Sequence, residues 1–197
     1  MRTTLSYSSA ATNGAVSAAL FLGNYSSNTV QSGIFSNPTG YGAYLVNAGY
    51  NSISASTMTS GATGVYTLYA VGSTSNTVLE SRIENTAGGA LLLDAGSNHN
   101  VVDRAILASN GGGGSDYALR IINASSNTVT RSFMTNPLGW TAYINGSSNY
   151  NSVSWSTVTT GASGYTALNL GNSASYNAIT GVHVSAGASY GLRFDIG

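Results

Sequence analysis

Acid–base chemistry in this chain has few sources. The carboxylates are Glu80, Glu84, Asp94, Asp103, Asp116 and Asp195, the imidazoles are His99 and His183, and cysteine is absent. Glu80, Arg104 and Arg131 stand out because each follows an asparagine by four residues: Asn76, Asn100 and Asn127. If those asparagines are equivalent, the three side chains form one column with Asp103 beside it. A carboxylate facing a guanidinium in a cleft would suit an acidic sugar, or a general acid paired with a general base. Only one of the three is a carboxylate, so the column reads as a surface ion pair worth about 0–1 kcal/mol. His99 directly precedes Asn100, whereas His183 follows Asn177 by six, which sets them several turns of chain apart. A shared metal or a triad is thereby excluded. The glycine run 111–114 lacks the Gly-Lys-Ser/Thr of a phosphate loop and reads as a bulging turn. Without cysteine there are no disulfides, thiolate metal sites or thiol nucleophiles. No catalytic residue, metal site or cofactor is expected.

The asparagines that align these side chains recur along the chain. They are Asn28, Asn51, Asn76, Asn100, Asn127, Asn151 and Asn177, at spacings of 23, 25, 24, 27, 24 and 26. Two residues after each stands Val or Ile: Val30, Ile53, Val78, Val102, Val129, Val153 and Ile179. Five after, the residue is small or Val (Gly33, Ser56, Ser81, Ala105, Ser132, Ser156, Val182), and seven after it is apolar, from Phe35 to Val184. Before each asparagine lies a pair of apolar residues two apart, from Leu20/Leu22 through Leu168/Leu170 to Phe194/Ile196. Alternation of this kind marks short strands with one buried face. Turn-formers such as "SNPTGYG", "TSGATG" and "TTGASG" separate the blocks, and no stretch has a helical pattern.

A fixed period of about 24 residues built from short strands is the signature of a β-solenoid. Successive coils stack about 4.8 Å apart, each strand pairing in parallel with its copies above and below. Equivalent side chains then lie on one another. The asparagine marks a turn at which its amide points inward, and stacked amides bond to one another as in cross-β ladders. The expectation is an all-β fold, one β-solenoid domain over residues 1–197, with about eight coils and uncapped ends. The crossover rule makes its coiling right-handed.

With its "SSNTV…S.I…G…L.L" pattern over nearly the whole chain, the sequence resembles the right-handed parallel β-helix proteins: pectate-lyase-like enzymes, phage tailspikes, adhesins and NosD-type repeat proteins. The resemblance implies the fold and says little about activity.

Composition narrows the function. Only 6% of residues are charged and the formal net charge is zero, so no basic surface exists for nucleic acid or anionic lipid. No apolar run is long enough to span a membrane. The stretch 14–23 has the look of a short signal h-region, but Leu20 and Leu22 belong to the repeat; a secretory signal is expected to lie outside this chain. The leading expectation is a structural β-solenoid outside the cell or on its surface, either a subunit of a head-to-tail fibre or a segment of a long adhesin-like protein. Its partner is then another copy, or adjoining coils, with Thr3, Leu5, Phe194 and Ile196 at the end-to-end contact. The alternative is a glycan-binding or glycan-cleaving β-helix, with Phe21, Tyr44, Tyr69 and Tyr143 as an exposed aromatic face that Leu92, Arg120 and Asn169 interrupt. A third reading is ice binding by Thr/Ser columns beside the asparagines, broken at Leu79, Val101, Asp103 and Ala178.

Overall fold

A computed structural model describes residues 2–195. The chain is a β-solenoid of eight coils, and each coil gives one strand to each of three parallel eight-stranded sheets. The first sheet runs from Thr4–Ser6 to Ala178–Thr180, the second from Ser9–Ala11 to His183–Ala186, and the third from Ala18–Gly23 to Leu192–Phe194. No helix occurs among the described residues.

Period-2 patterning decides what each strand buries. In the first sheet Leu5, Val30, Ile53, Val78, Val102, Val129, Val153 and Ile179 pair in one unbroken register. In the second, the inward row passes through Phe35, Met58, Ile83, Leu107, Met134 and Val158, all nearly inaccessible to solvent. The third sheet contributes two rows, one through Leu20, Leu68, Leu91, Leu119 and Leu168, the other through Leu22, Leu45, Leu93, Ile121, Ile144 and Leu170. These rows meet in one continuous core along the axis.

The last coil departs from the sequence-based pairing. Leu192 stands opposite Leu168 and Phe194 opposite Leu170, so the apolar pair is Leu192/Phe194, two residues earlier than Phe194/Ile196. Ile196 lies outside the described residues.

Corners between sheets need tight bends, and the backbone makes them with left-handed residues. Immediately before each asparagine, Ser27, Tyr50, Ser75, His99, Ser126, Tyr150 and Tyr176 have φ between 55° and 62°. Four residues after it, Ser32, Ala55, Glu80, Arg104, Arg131 and Trp155 have φ between 47° and 53°. None of these is Gly or Asn, the residues that favour this region. Bonds between coils offset the cost. The Glu80, Arg104 and Arg131 N–H groups donate to the carbonyls of Asp103, Thr130 and Ser154 in the next coil. The following N–H donates to a serine: Ser56 to Ser81 Oγ, Ala105 to Ser132 Oγ, Ser132 to Ser156 Oγ. The small residue expected five after the asparagine thus forms a serine ladder that Ala105 interrupts.

The corner between the second and third sheets alternates. Asn37, Ser60, Asn85, Ser109, Asn136 and Thr160 are buried there in succession. Each asparagine amide spans the preceding turn, as Asn85 Nδ2 does in donating to the carbonyls of Ala62 and Val65. Each hydroxyl donates to one glycine carbonyl of the preceding turn: Ser60 to Gly40, Ser109 to Gly88, Thr160 to Gly139. Turns of two sizes are thus each matched by a side chain of the right reach.

Candidate functional site

The seven sequence-predicted asparagines come together in one inward column. From Asn28 to Asn127 each Nδ2 donates to the next Oδ1 at 3.0–3.1 Å. The same Oδ1 accepts the preceding asparagine's backbone N–H, for example Asn76 N to Asn100 Oδ1 at 2.9 Å. The second Nδ2 proton goes back one coil, from Asn100 to the Ser73 carbonyl and from Asn151 to the Ala124 carbonyl. Each inner amide is bonded to the coils beside it and faces the core, so the column holds coils together and is not a ligand site.

The charged column is equally self-contained. Arg104 Nη2 lies 2.8 Å from Glu80 and its Nη1 3.0 Å from Asp103, while Arg131 grips both oxygens of Asp103. Bonding to Asp103 makes the Arg131 guanidinium still harder to deprotonate. Glu80 and Asp103 are spoken for by cations and do not face each other as acid and base. Thr77, Val101, Thr128 and Ser152 share the outer face of this sheet with Asp103 and its arginines, so no flat hydroxyl array forms. His99 sits at a corner and His183 on the outer face of the second sheet. No group of three potential metal ligands occurs among the described residues.

The outer face of the third sheet differs. Phe21, Tyr44, Tyr69, Leu92, Arg120, Tyr143 and Asn169 lie in register along its middle. Three residues before Tyr44, Tyr69, Arg120 and Tyr143 stand Tyr41, Tyr66, Tyr117 and Trp140, which the sequence reading did not select. Together they make two aromatic groups. In one, Tyr44 stacks between Tyr41 and Tyr69, with ring centroids 4.9 and 5.2 Å away, and Phe21 sits exposed at 5.9 Å. In the other, Tyr117 and Tyr143 stack at 5.4 Å with Trp140 edge-on to both.

Between the groups lies a cleft of about 220 Å³ lined by Tyr41, Val65, Tyr66, Tyr69, Leu92 and Arg120. Tyr66 reaches across it to donate to the Ser115 carbonyl at 2.6 Å, in the space left because Gly89 has no Cβ. Tyr117 and Tyr165 donate to the Gly114 and Gly112 carbonyls, so phenols fasten the glycine-rich turn beside the cleft. Arg120 lies over the Tyr117 ring, its Cζ 5.6 Å from the centroid, and its buried Nε has no hydrogen-bond partner. Arg82, Arg104, Arg131 and Arg193 each pair with a carboxylate; among the described residues Arg120 and the exposed Arg2 do not.

The phenols are poor acids here. Burial, reinforced by the Asp94 carboxylate that accepts its hydroxyl at 3.1 Å, pushes Tyr69 up to about 12. Burial raises Tyr117 to about 12 even though Arg120 opposes the shift, and it raises Tyr66 further. At neutral pH these groups are hydrogen-bond donors and not bases. The arrangement offers flat apolar rings, phenolic donors and one cation without a carboxylate partner.

At the first coil, Thr3, Leu5, Leu20, Leu22, Tyr25 and Val30 line an apolar opening of about 300 Å³. Thr3 takes the asparagine's place in that coil, donating its N–H to Asn28 Oδ1 at 3.1 Å. Phe194 is 64% exposed at the opposite end.

A family profile described as right handed beta helix region matches residues 3–134. Among solved structures, the chain is similar to the crystal structure of an alginate lyase from Paenibacillus sp. str. FPU-7, at 12% identity and a TM-score of 0.42, over 98% of each chain. No curated protein matches.

Proposed function

The chain belongs to the right-handed β-helix family, and on that scaffold we propose that it is an extracellular structural solenoid displaying a carbohydrate-binding face on its third sheet. The observation that carries this reading is Arg120, a guanidinium without a carboxylate partner, held between two groups of aromatic rings. Sugar rings present C–H faces that pack on tyrosine, while a carboxylate or sulfate substituent gains charge-assisted bonds from a guanidinium. The ligand class is therefore an acidic glycan. Its placement outside the cell belongs to the same proposal, since that is where such polymers are met.

Binding without cleavage is the favoured form. Cleavage needs a group that takes or gives a proton at neutral pH. Tyr69 and Tyr117 hold their protons to about pH 12, and Asp94 already accepts the Tyr69 hydroxyl. Titration with oligouronates, followed through Trp140 fluorescence and calorimetry, tests the reading. Uronates should bind more tightly than neutral oligosaccharides, and Arg120→Gln should weaken them at least about tenfold, or 1.4 kcal/mol, with folding intact. Binding that is absent, or indifferent to both Arg120→Gln and Tyr69→Ala, would refute it.

A further inference from the structure

The glycine-rich turn beside the cleft buries a carboxylate that has no counter-charge. Asp116 is 3% exposed, its Oδ1 is buried without a hydrogen-bond partner, and it belongs to none of the ion pairs among the described residues. A charge taken out of water needs an opposite charge or hydrogen bonds around it. From this carboxylate and the turn folded about it, we propose that residues 111–116 bind a calcium ion.

The turn departs from its counterpart two coils earlier. Asn85 Nδ2 donates to the carbonyls of Ala62 and Val65, and Asn136 Nδ2 donates in the same way to those of Gly111 and Asp116. Asp116 thus takes the place of Val65, with two more residues between the anchoring carbonyls. Val65 is half-buried, whereas the Asp116 side chain folds inward against the glycines. A Cβ on Gly111 would collide with Asp116 Cβ and Cγ, and one on Gly113 would stand 2.7 Å from Asp116 Oδ2. Gly112, Gly113, Gly114 and Ser115 are exposed, so the turn is open to solvent on its outer side. The donors it offers are oxygens. The carbonyls of residues 111 to 115 each accept a hydrogen bond, from Asn136, Tyr165, Asp116, Tyr117 and Tyr66 in that order, and a carbonyl oxygen has a second lone pair. Calcium takes about six to eight oxygen ligands in flexible geometry, main-chain carbonyls and waters among them, whereas magnesium demands a near-ideal octahedron and zinc sites draw on nitrogen and sulfur. The order Gly111-Gly112-Gly113-Gly114-Ser115-Asp116 also fits the Gly-Gly-x-Gly-x-Asp spacing by which some parallel β-repeats bind calcium. A single carboxylate makes a weak site, with a Kd on the order of 10⁻⁴–10⁻³ M, the range of extracellular modules.

Terbium occupies calcium's oxygen sites and emits when a nearby phenol is excited. It reads this site directly, because the Tyr117 and Tyr66 hydroxyls bond the Gly114 and Ser115 carbonyls. Excitation of tyrosine in the presence of Tb³⁺ should give sensitised emission that millimolar Ca²⁺ displaces and equal Mg²⁺ does not. Asp116→Asn keeps the shape, removes the charge and should abolish the emission. Glu84→Gln, on the second sheet beside Arg82, should leave it unchanged. In thermal unfolding, millimolar Ca²⁺ should raise the wild-type Tm by a few degrees, since it binds the folded state, and leave that of Asp116→Asn where it was. None of these readouts involves a glycan, so the calcium site can fail while the carbohydrate face stands, and the reverse. Circular dichroism establishes that Asp116→Asn folds; should it not, anomalous scattering from a Tb³⁺-soaked wild-type crystal decides, with density expected at Asp116. Emission that survives Asp116→Asn, density only at other carboxylates, or a wild-type Tm indifferent to calcium would overturn the inference.

Discussion

The corner holding the asparagine ladder and the outer face of the third sheet are built on the same coils by opposite rules. At the corner each coil repeats the last: Asn51, Asn76, Asn100, Asn127 and Asn151 are all buried and joined amide to amide in one chain. On the face, equivalent positions read Tyr69, Leu92, Arg120, Tyr143 and Asn169. The physical demands differ. A buried amide without partners costs about 1–3 kcal/mol, and in a stack its partner is the same residue one coil away, so uniformity is the stable solution. An outward side chain meets water, and each coil is free to carry its own chemistry. In a solenoid, repetition reports cohesion and departure from repetition reports a surface available for other uses.

The ladder should therefore show the largest response to mutation. Asn127→Ala removes the amide that donates to Asn151 Oδ1 at 3.1 Å, and it orphans the Asn100 N–H and one of the two Asn100 Nδ2 protons, which both rely on Asn127 Oδ1. Urea unfolding should show a loss of about 3 kcal/mol, similar for Asn100→Ala and smaller for Asn28→Ala, where only the half-buried first rung is lost. Equal and negligible losses at the three positions would break the contrast, because the corner would then be as tolerant as the face.

On the face, a titration sharpens it. Tyr69 and Tyr117 have folded pKa values of about 12 against an ordinary value of 10.0. Below pH 10 both are protonated, folded or unfolded, and contribute no pH dependence. Above it the unfolded chain releases phenolic protons that the folded chain keeps, so stability falls as pH rises from about 10 to 12. Ultraviolet difference spectra should show a late tyrosinate phase in that window, and Tyr69→Phe should diminish it. A single early phase would mean that the cleft is wetter than its packing indicates.

How far the sequence revealed all this follows from the same contrast. The asparagine, the β-branched residue two further on and the apolar residue seven further on keep their identities, so coil number and inward rows were legible. The last pairing was misread because Leu192, Phe194 and Ile196 alternate evenly, and a two-residue shift preserves the alternation. Only strand pairing shows that Phe194 stands on Leu170. The second buried corner was invisible because its letters change between Asn and Ser or Thr with the size of the turn it clasps. Tyr41, Tyr66, Tyr117 and Trp140 stand three residues before the outward row, an odd offset that a period of two does not assign to the same face, and Arg120 read as an interruption because a column was sought in which each residue matches the last.

The Glu80–Arg104–Asp103–Arg131 network should be the least sensitive region, and it tests whether that view of departure has limits. It too varies from coil to coil, with Ser32, Ala55 and Trp155 at equivalent corners, yet its charges cancel internally. Glu80 is 53% exposed in its side chain and meets Arg104 in water, where such pairs are worth about 0–1 kcal/mol. Glu80→Gln should cost less than 1 kcal/mol, and molar salt, which shortens the Debye length to about 3 Å, should erase the difference. It should also leave oligouronate binding untouched, unlike Arg120→Gln. The distinction lies in pairing: Arg104 retains Asp103 at 3.0 Å after Glu80 is neutralised, whereas Arg120 has no carboxylate to release. If Glu80→Gln instead strengthened uronate binding, a freed Arg104 would be a second anion site, and an uncommitted cation, in any setting, would matter more than the aromatic rings around it.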